Sequence, residues 1–150
     1  TSYILPLIPM AIAQMLITMV TALFFGLEFT ANMFMVVLFN IPTALVFIAI
    51  GLLCGSLLND KQVGGICGAL LTNLSAWLSG TWFDVELVGG AFSAIANALP
   101  FIHAVKLGRL VLAGNYADCI PDLLWVCGYA VVLMAAAVAV FHKKMNSDAA

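Results

Sequence analysis

The sequence predicts an all-α, polytopic membrane protein with four transmembrane helices and a short re-entrant helical pair before the last of them. Three observations carry this. Of 150 residues, 65% are hydrophobic and mean hydropathy is +1.17, whereas a soluble domain runs at roughly 45–50% apolar. Only 8% are charged, 5 Lys+Arg and 7 Asp+Glu, too few to clothe a soluble surface of this size. Those charges cluster, leaving residues 1–27, 29–59, 62–83, 87–105 and 123–142 without any. About 20 apolar residues suffice to carry a helix across a hydrocarbon layer about 30 Å thick. The composition excludes a cytosolic enzyme, a nucleic-acid-binding domain and a disordered tail. The apolar runs are continuous rather than alternating, which argues against a β-barrel.

The first span is expected at residues 3–25. It has no basic leader and no initiating Met, and polar residues punctuate it, so it is not read as a signal peptide. The chain enters the membrane almost at once from Thr1, which reads as a piece of a longer protein. Pro6 and Pro9 are expected to bend this helix, and Pro42 the next. Gln14, Thr18 and Thr21 follow i, i+4, i+7 and share one face. The second span, at 33–58, carries Asn40 and Thr43, and the third, at 63–83, carries Thr72 and Asn73. Between them Asn59-Asp60-Lys61-Gln62 makes a tight polar turn. Gly51 with Gly55, Gly64 with Gly68, and Ser75 with Ser79 repeat small residues at four-residue spacing. Such ridges let backbones approach closely in lipid. Packing within the chain is the nearer reading, a dimer contact the other.

Residues 87–105 carry Gly89, Gly90, Ser93, Asn97 and Pro100, which together break up a span. Pro100 fits as the first residue of a new helix. Two short helices are therefore expected, at 87–98 and 100–113, the second capped by Gly114-Asn115. Such a pair, 87–113, dips into one face of the membrane and leaves on the same side. A fifth crossing is the alternative, and the positive-inside rule divides Lys and Arg three to two either way. Trp82, Tyr116 and Trp125 fit an interfacial belt if there are four spans. The last span is expected at 121–141, ending in His142-Lys143-Lys144 beside a cytoplasmic face. Asp118 and Asp122 flank Pro121 where negative charge suits the helix dipole, and need no further role. With Glu28, Asp84 and Glu86 they fall on the outer side.

No chemistry emerges from the motifs. No P-loop, GxSxG or HExxH occurs, so no catalytic residue, bound cofactor or enzymatic activity is expected. Cys54, Cys67, Cys119 and Cys127 lack CxxC spacing and read as small buried hydrophobes, with Cys119 alone at a membrane edge where it could react. His103 and His142 stand far from any ligand cluster, so no metal is expected. Gln14, Thr18, Thr21, Asn40, Thr43, Thr72 and Asn73 read either as the wall of a translocation path or as interhelical hydrogen-bonding groups. His103, Lys106 and Arg109, at i, i+3, i+6, make one basic face. It serves either to anchor a helix in the headgroup layer or to meet an anionic substrate or lipid.

The order of these features resembles the C-terminal part of the membrane subunit of a type-2 ATP-binding-cassette exporter. The matching residues are Gly51-Leu52-Leu53-Cys54-Gly55-Ser56-Leu57-Leu58 ending one span, and the short turn after it. Leu78-Ser79-Gly80-Thr81-Trp82-Phe83 is similar to the family's "sGxxxP" region, although Phe83-Asp84-Val85 stands where its Pro would be. Ala98-Leu99-Pro100-Phe101 and Arg109 are similar to its "xxP…R" stretch, with Gly114 after it and Phe141-His142-Lys143-Lys144 closing the last span. The resemblance implies two helices and a coupling segment ahead of Thr1, a re-entrant pair on the outer face, and hence four spans. It also implies a second permease half, as in a dimer, and a separate nucleotide-binding ATPase that drives alternating access. The chain would then lie in the inner membrane with a cytoplasmic C-terminus, among lipids and without nucleic acid. The alternative function is a piece of a channel or of an ion-coupled secondary transporter. Such proteins place ionisable groups at mid-membrane, where here Gln14, Asn40 and Asn73 are the strongest polar groups.

Overall fold

A computed structural model describes residues 7–26 and 30–148, which are helical throughout apart from turns, with no strand among them. In chain order the helices are α1 (Leu7–Phe25), α2 (Asn32–Phe39), α3 (Ile41–Leu57), α4 (Asp60–Val63), a π-helical segment (Gly64–Leu71), α5 (Thr72–Leu78), α6 (Val85–Val88), α7 (Gly90–Ala98), α8 (Pro100–Leu112) and α9 (Ile120–Asp148). Residues 3–6 of the first expected span, with Pro6, and Glu28 lie outside the described residues. Two helices are long and apolar enough to cross a membrane, Asn32–Leu57 and Ile120–Asn146, and a third if α7 and α8 count as one bent span. Length and apolarity thus support two or three spans where the sequence predicts four. The expected third span is divided by its π turn, and Ile12–Phe25 counts only as a shorter apolar helix.

Asn32–Leu57 is α2 and α3 joined through Asn40, whose backbone N–H donates to the Val36 carbonyl at 2.9 Å. Pro42, just inside α3, has no N–H for the Leu38 carbonyl, so the helix breaks there. Pro9 lies within α1, near the first of the described residues.

The two long helices run parallel. Asn32 at the start of α2 accepts from the Tyr116 hydroxyl just before α9. Val46 then packs with Val126 and Ala130, and Lys144 donates to the Ser56 carbonyl at 2.7 Å at the far end. α9 extends to Asp148 rather than ending at 141, which is what lets Lys144 reach the C-terminal carbonyls of α3, where a cation suits the helix dipole.

The helix expected to reach residue 83 stops at Leu78. Gly80 follows with φ +70°, and a Cβ on it would meet Val85 Cγ2 at 3.5 Å. Loop 79–84 leads into α6, capped by Asp84, whose Oδ1 accepts from the Glu86 N–H at 3.0 Å. Gly89, at φ +64°, separates α6 from α7, so the helix expected at 87–98 begins at Gly90. Pro100 opens α8, and the chain turns through 72° between α7 and α8. α8 ends in a Schellman motif, with Asn115 N–H donating to the Leu110 carbonyl, Gly114 N–H to the Val111 carbonyl, and Gly114 at φ +79°.

The vertex of the pair is driven inward. The Tyr129 hydroxyl donates to the Ala98 carbonyl at 2.6 Å, and Phe101 meets Phe47 at 5.8 Å. Tyr129 is roughly 14 Å along α9 from its start. The outer ends of both arms nevertheless border the same loop: Phe92 of α7 lies against Phe83, and Arg109 of α8 donates to the Gly80 carbonyl at 3.2 Å. Leu78, Val85, Ala96, Phe101 and Ile102 form the buried cluster that joins the arms to α5. Loop 79–84 thus touches both arms of the bent pair.

Candidate functional site

Loop 79–86 and one face of α8 enclose a cavity of about 460 Å³. The loop is shaped from within. Ser79 donates its hydroxyl to the Ala76 carbonyl at 2.7 Å, so the 2.6 Å contact between Ser79 and Thr81 hydroxyls is donated by Thr81. Arg109 clamps the loop from α8 through Gly80. The cavity is lined by Lys106 and Arg109 on one wall and by Asp84 and Glu86 on the other. None of these four forms an ion pair within 4.0 Å, the one ion pair among the described residues lying elsewhere. Two cations and two carboxylates therefore line one space without pairing with each other.

The basic face read from spacing is split by the structure. His103 does not join Lys106 and Arg109. Its Nδ1 lies 2.5 Å from Asp122 Oδ1 and its Nε2 lies 2.9 Å from the Asn97 carbonyl. Both side chains of the ion pair are mostly covered, at 17% and 15% exposure, and the Trp125 ring lies tilted beside the imidazole, with centroids 5.3 Å apart. Asp122 thus has the role that a place at a helix start did not require: it ties α9 to the bent pair. Asp118 also has a partner, accepting from Asn115 Nδ2 at 2.7 Å. Cys119 is buried, its thiol donating to the Tyr116 carbonyl at 3.0 Å, and does not present a reactive edge.

The seven polar residues considered for a path do not gather. Gln14 and Thr18 line a second cavity of about 320 Å³, between α1, α2 and α8, among Met15, Met19, Met33, Val36 and Val105, with Gly108 and Arg109 closing it. Thr72 borders a third, of about 390 Å³, beside Phe47, Gly51 and Cys67. Thr21, Asn40, Thr43 and Asn73 line none of these three. Four of the seven spend a side-chain donor on a backbone carbonyl of the preceding turn. Thr18 donates to the Gln14 carbonyl, Thr21 to Ile17, Thr72 to Cys67 and Asn73 to Ala69. Thr43 keeps a buried hydroxyl without a partner. A Cβ on Gly51, Gly55, Gly64 or Gly68 would meet nothing within 4 Å, so the glycine ridges are not used for packing among the described residues.

Spacing along one helix found Lys106 and Arg109 but could not find Asp84 or Glu86, which reach the site from another element. The only signal for them was their expected placement on the same outer side as Lys106 and Arg109.

The family model for ABC-2 type transporters matches residues 1–112, taking in the 79–86 loop and all of α7 and α8. The chain belongs to the ABC-2 type transporter family. It is an integral membrane protein, and its role is that of an ABC transporter membrane domain. No curated relative and no solved structure matches the chain. Within this membrane domain, the cavity at loop 79–86 is where the stretches resembling "sGxxxP" and "xxP…R" meet, through the Arg109–Gly80 hydrogen bond.

Proposed function

We propose that the chain is permease machinery of an ATP-driven exporter, which moves substrate by alternating access between two membrane halves while a separate ATPase supplies the energy. The single observation that carries the reading is the match to ABC-2 transporters over residues 1–112. Four spans fit it. Parallel courses for Asn32–Leu57 and Ile120–Asn146 require an odd number of crossings between them. One crossing by residues 60–78 supplies that number if α7–α8 returns, as the shared loop at both its ends supports. On this reading the Asn32 end of the bundle faces outward. Lys61, Lys143 and Lys144 face the cytoplasm of the inner membrane, in keeping with the positive-inside rule.

In the cycle, ATP-driven closure of the ATPases moves the cytoplasmic ends of α3 and α9, which Lys144 links at Ser56. The long helices transmit the motion to the outer end, where α7–α8 is held on one side by the Arg109–Gly80 bond and on the other by His103–Asp122. Differential contacts in the inward- and outward-facing states are what couple the two ends. The unfilled space over Gly51, Gly55, Gly64 and Gly68 leaves room for a second permease half to approach. The chain itself supplies wall, contact and gate, and we assign it no catalytic residue. Affinity purification of the full-length protein from its native membranes tests the reading. A nucleotide-binding ATPase is expected in the eluate, and transport that persists in vesicles with no ATPase present contradicts it.

A further inference from the structure

We infer that loop 79–86, α8 and the cavity behind α8 together form a binding site for one zwitterionic phospholipid, with ethanolamine-type head and acyl chain in adjoining compartments. Arg109 is the residue that makes two cavities one site, since it lines both. On one side is the charged compartment of about 460 Å³, with Lys106 and Arg109 opposite Asp84 and Glu86. On the other is the compartment of about 320 Å³ walled by Met15, Met19, Val36 and Val105. Ligand sites fall in this size range and combine an apolar lining with a few convergent polar groups.

The charge arrangement selects the head. Guanidinium and ammonium groups are good partners for a phosphate. A purely anionic head would still face the two carboxylates unsatisfied, whereas a head that carries an ammonium as well as a phosphate pairs with both walls. Among the described residues no ion pair crosses the cavity: Lys106 and Glu86 have no side-chain partner there, while Arg109 spends one N–H on Gly80 and Asp84 one oxygen on the Glu86 N–H, each keeping further hydrogen-bonding capacity. The tail compartment is open for a structural reason: residue 108 is glycine, and a Cβ there would meet nothing within 4 Å. As a substrate assignment the inference rests on the permease reading above, but as a binding site it stands on the two cavities and is measured without ATPase or nucleotide.

The test is native mass spectrometry of the detergent-purified full-length protein titrated with phosphatidylethanolamine, phosphatidylglycerol and glycerophosphoethanolamine. The wild type is expected to prefer phosphatidylethanolamine to phosphatidylglycerol and to hold the tail-less head weakly. Arg109→Gln is expected to lose on the order of tenfold in affinity, the effect of one charge-assisted hydrogen bond. Gly108→Leu fills the tail compartment and favours the helix. It is expected to weaken the lipid while leaving glycerophosphoethanolamine unchanged. Asp84→Asn with Glu86→Gln is expected to abolish the preference for ethanolamine. Lys106→Gln reads the same phosphate contact without disturbing the Gly80 clamp, should Arg109→Gln fail to fold. The inference is overturned if the head alone binds as tightly as the lipid, if phosphatidylglycerol is held equally well, or if Gly108→Leu and Lys106→Gln bind as the wild type does. Loss of ATP-driven transport with binding intact would instead overturn the permease reading.

Discussion

His103 and Asp122 are the residues on which the attachment of the bent pair to α9 turns. Their pair is mostly covered and both imidazole nitrogens are engaged, so removing one partner leaves the other desolvated and unsatisfied. Such a loss costs about 1–3 kcal/mol. His103→Ala and Asp122→Asn are each expected to lower stability by that order in detergent, and the double variant is expected to fall well short of the sum. A double-mutant cycle followed by thermal unfolding checks this, and additive effects would mean that the two do not act as a pair. Nothing in the sequence announced the pair. Residues 19 positions apart on different helices meet only once the turn at Pro100 has redirected the chain. What spacing does show, a shared face along one helix, put His103 with Lys106 and Arg109 and so with the wrong partners.

At the scale of elements, local signals were legible wherever backbone chemistry decides. Pro100 as a helix start and Gly114-Asn115 as a stop follow from a missing N–H and a tolerated positive φ, and the structure has both. Gly114→Ala is expected to destabilise by about 1 kcal/mol or more. It forces a side chain into φ +79° with Asn32 Nδ2 3.1 Å from the new Cβ, and chemical denaturation of the purified protein measures the loss. The end of α5 at Leu78 and the π turn at Gly64–Leu71 were not legible. The end of α5 is followed by Gly80 at φ +70°, close to Val85 and Ile102 across the loop, and neither that turn nor the π turn alters hydropathy. The pairing of α3 with α9 was also hidden, because two uniformly apolar helices carry no mark of who their neighbour is. Val46→Cys with Ala130→Cys, in a background with the native cysteines replaced by alanine, is expected to cross-link with a short bifunctional thiol reagent. An antiparallel pair would instead bring Val46 towards the far end of α9 and leave this pair unlinked.

For the molecule as a whole, the composition alone established a membrane protein, and the order of small residues, prolines and charges carried the resemblance to the family that the chain proves to match. The site was only half legible: Lys106 and Arg109 were singled out, while the carboxylates opposite them and the cavity behind α8 depend on how the loop and α1 close on α8. On the permease reading, residues 85–112 return to the side they left and close the outer end of a four-span permease. Reaction of single cysteines with a membrane-impermeant maleimide in intact cells, in the same cysteine-free background, tests it most directly. Trp82 and Tyr116 bracket the bent pair and are exposed, at 77% and 41%. Trp82→Cys and Tyr116→Cys are both expected to react from outside, while Gln62→Cys and Met145→Cys react only after permeabilisation. Labelling of Trp82→Cys and Tyr116→Cys from opposite sides of the membrane would contradict it.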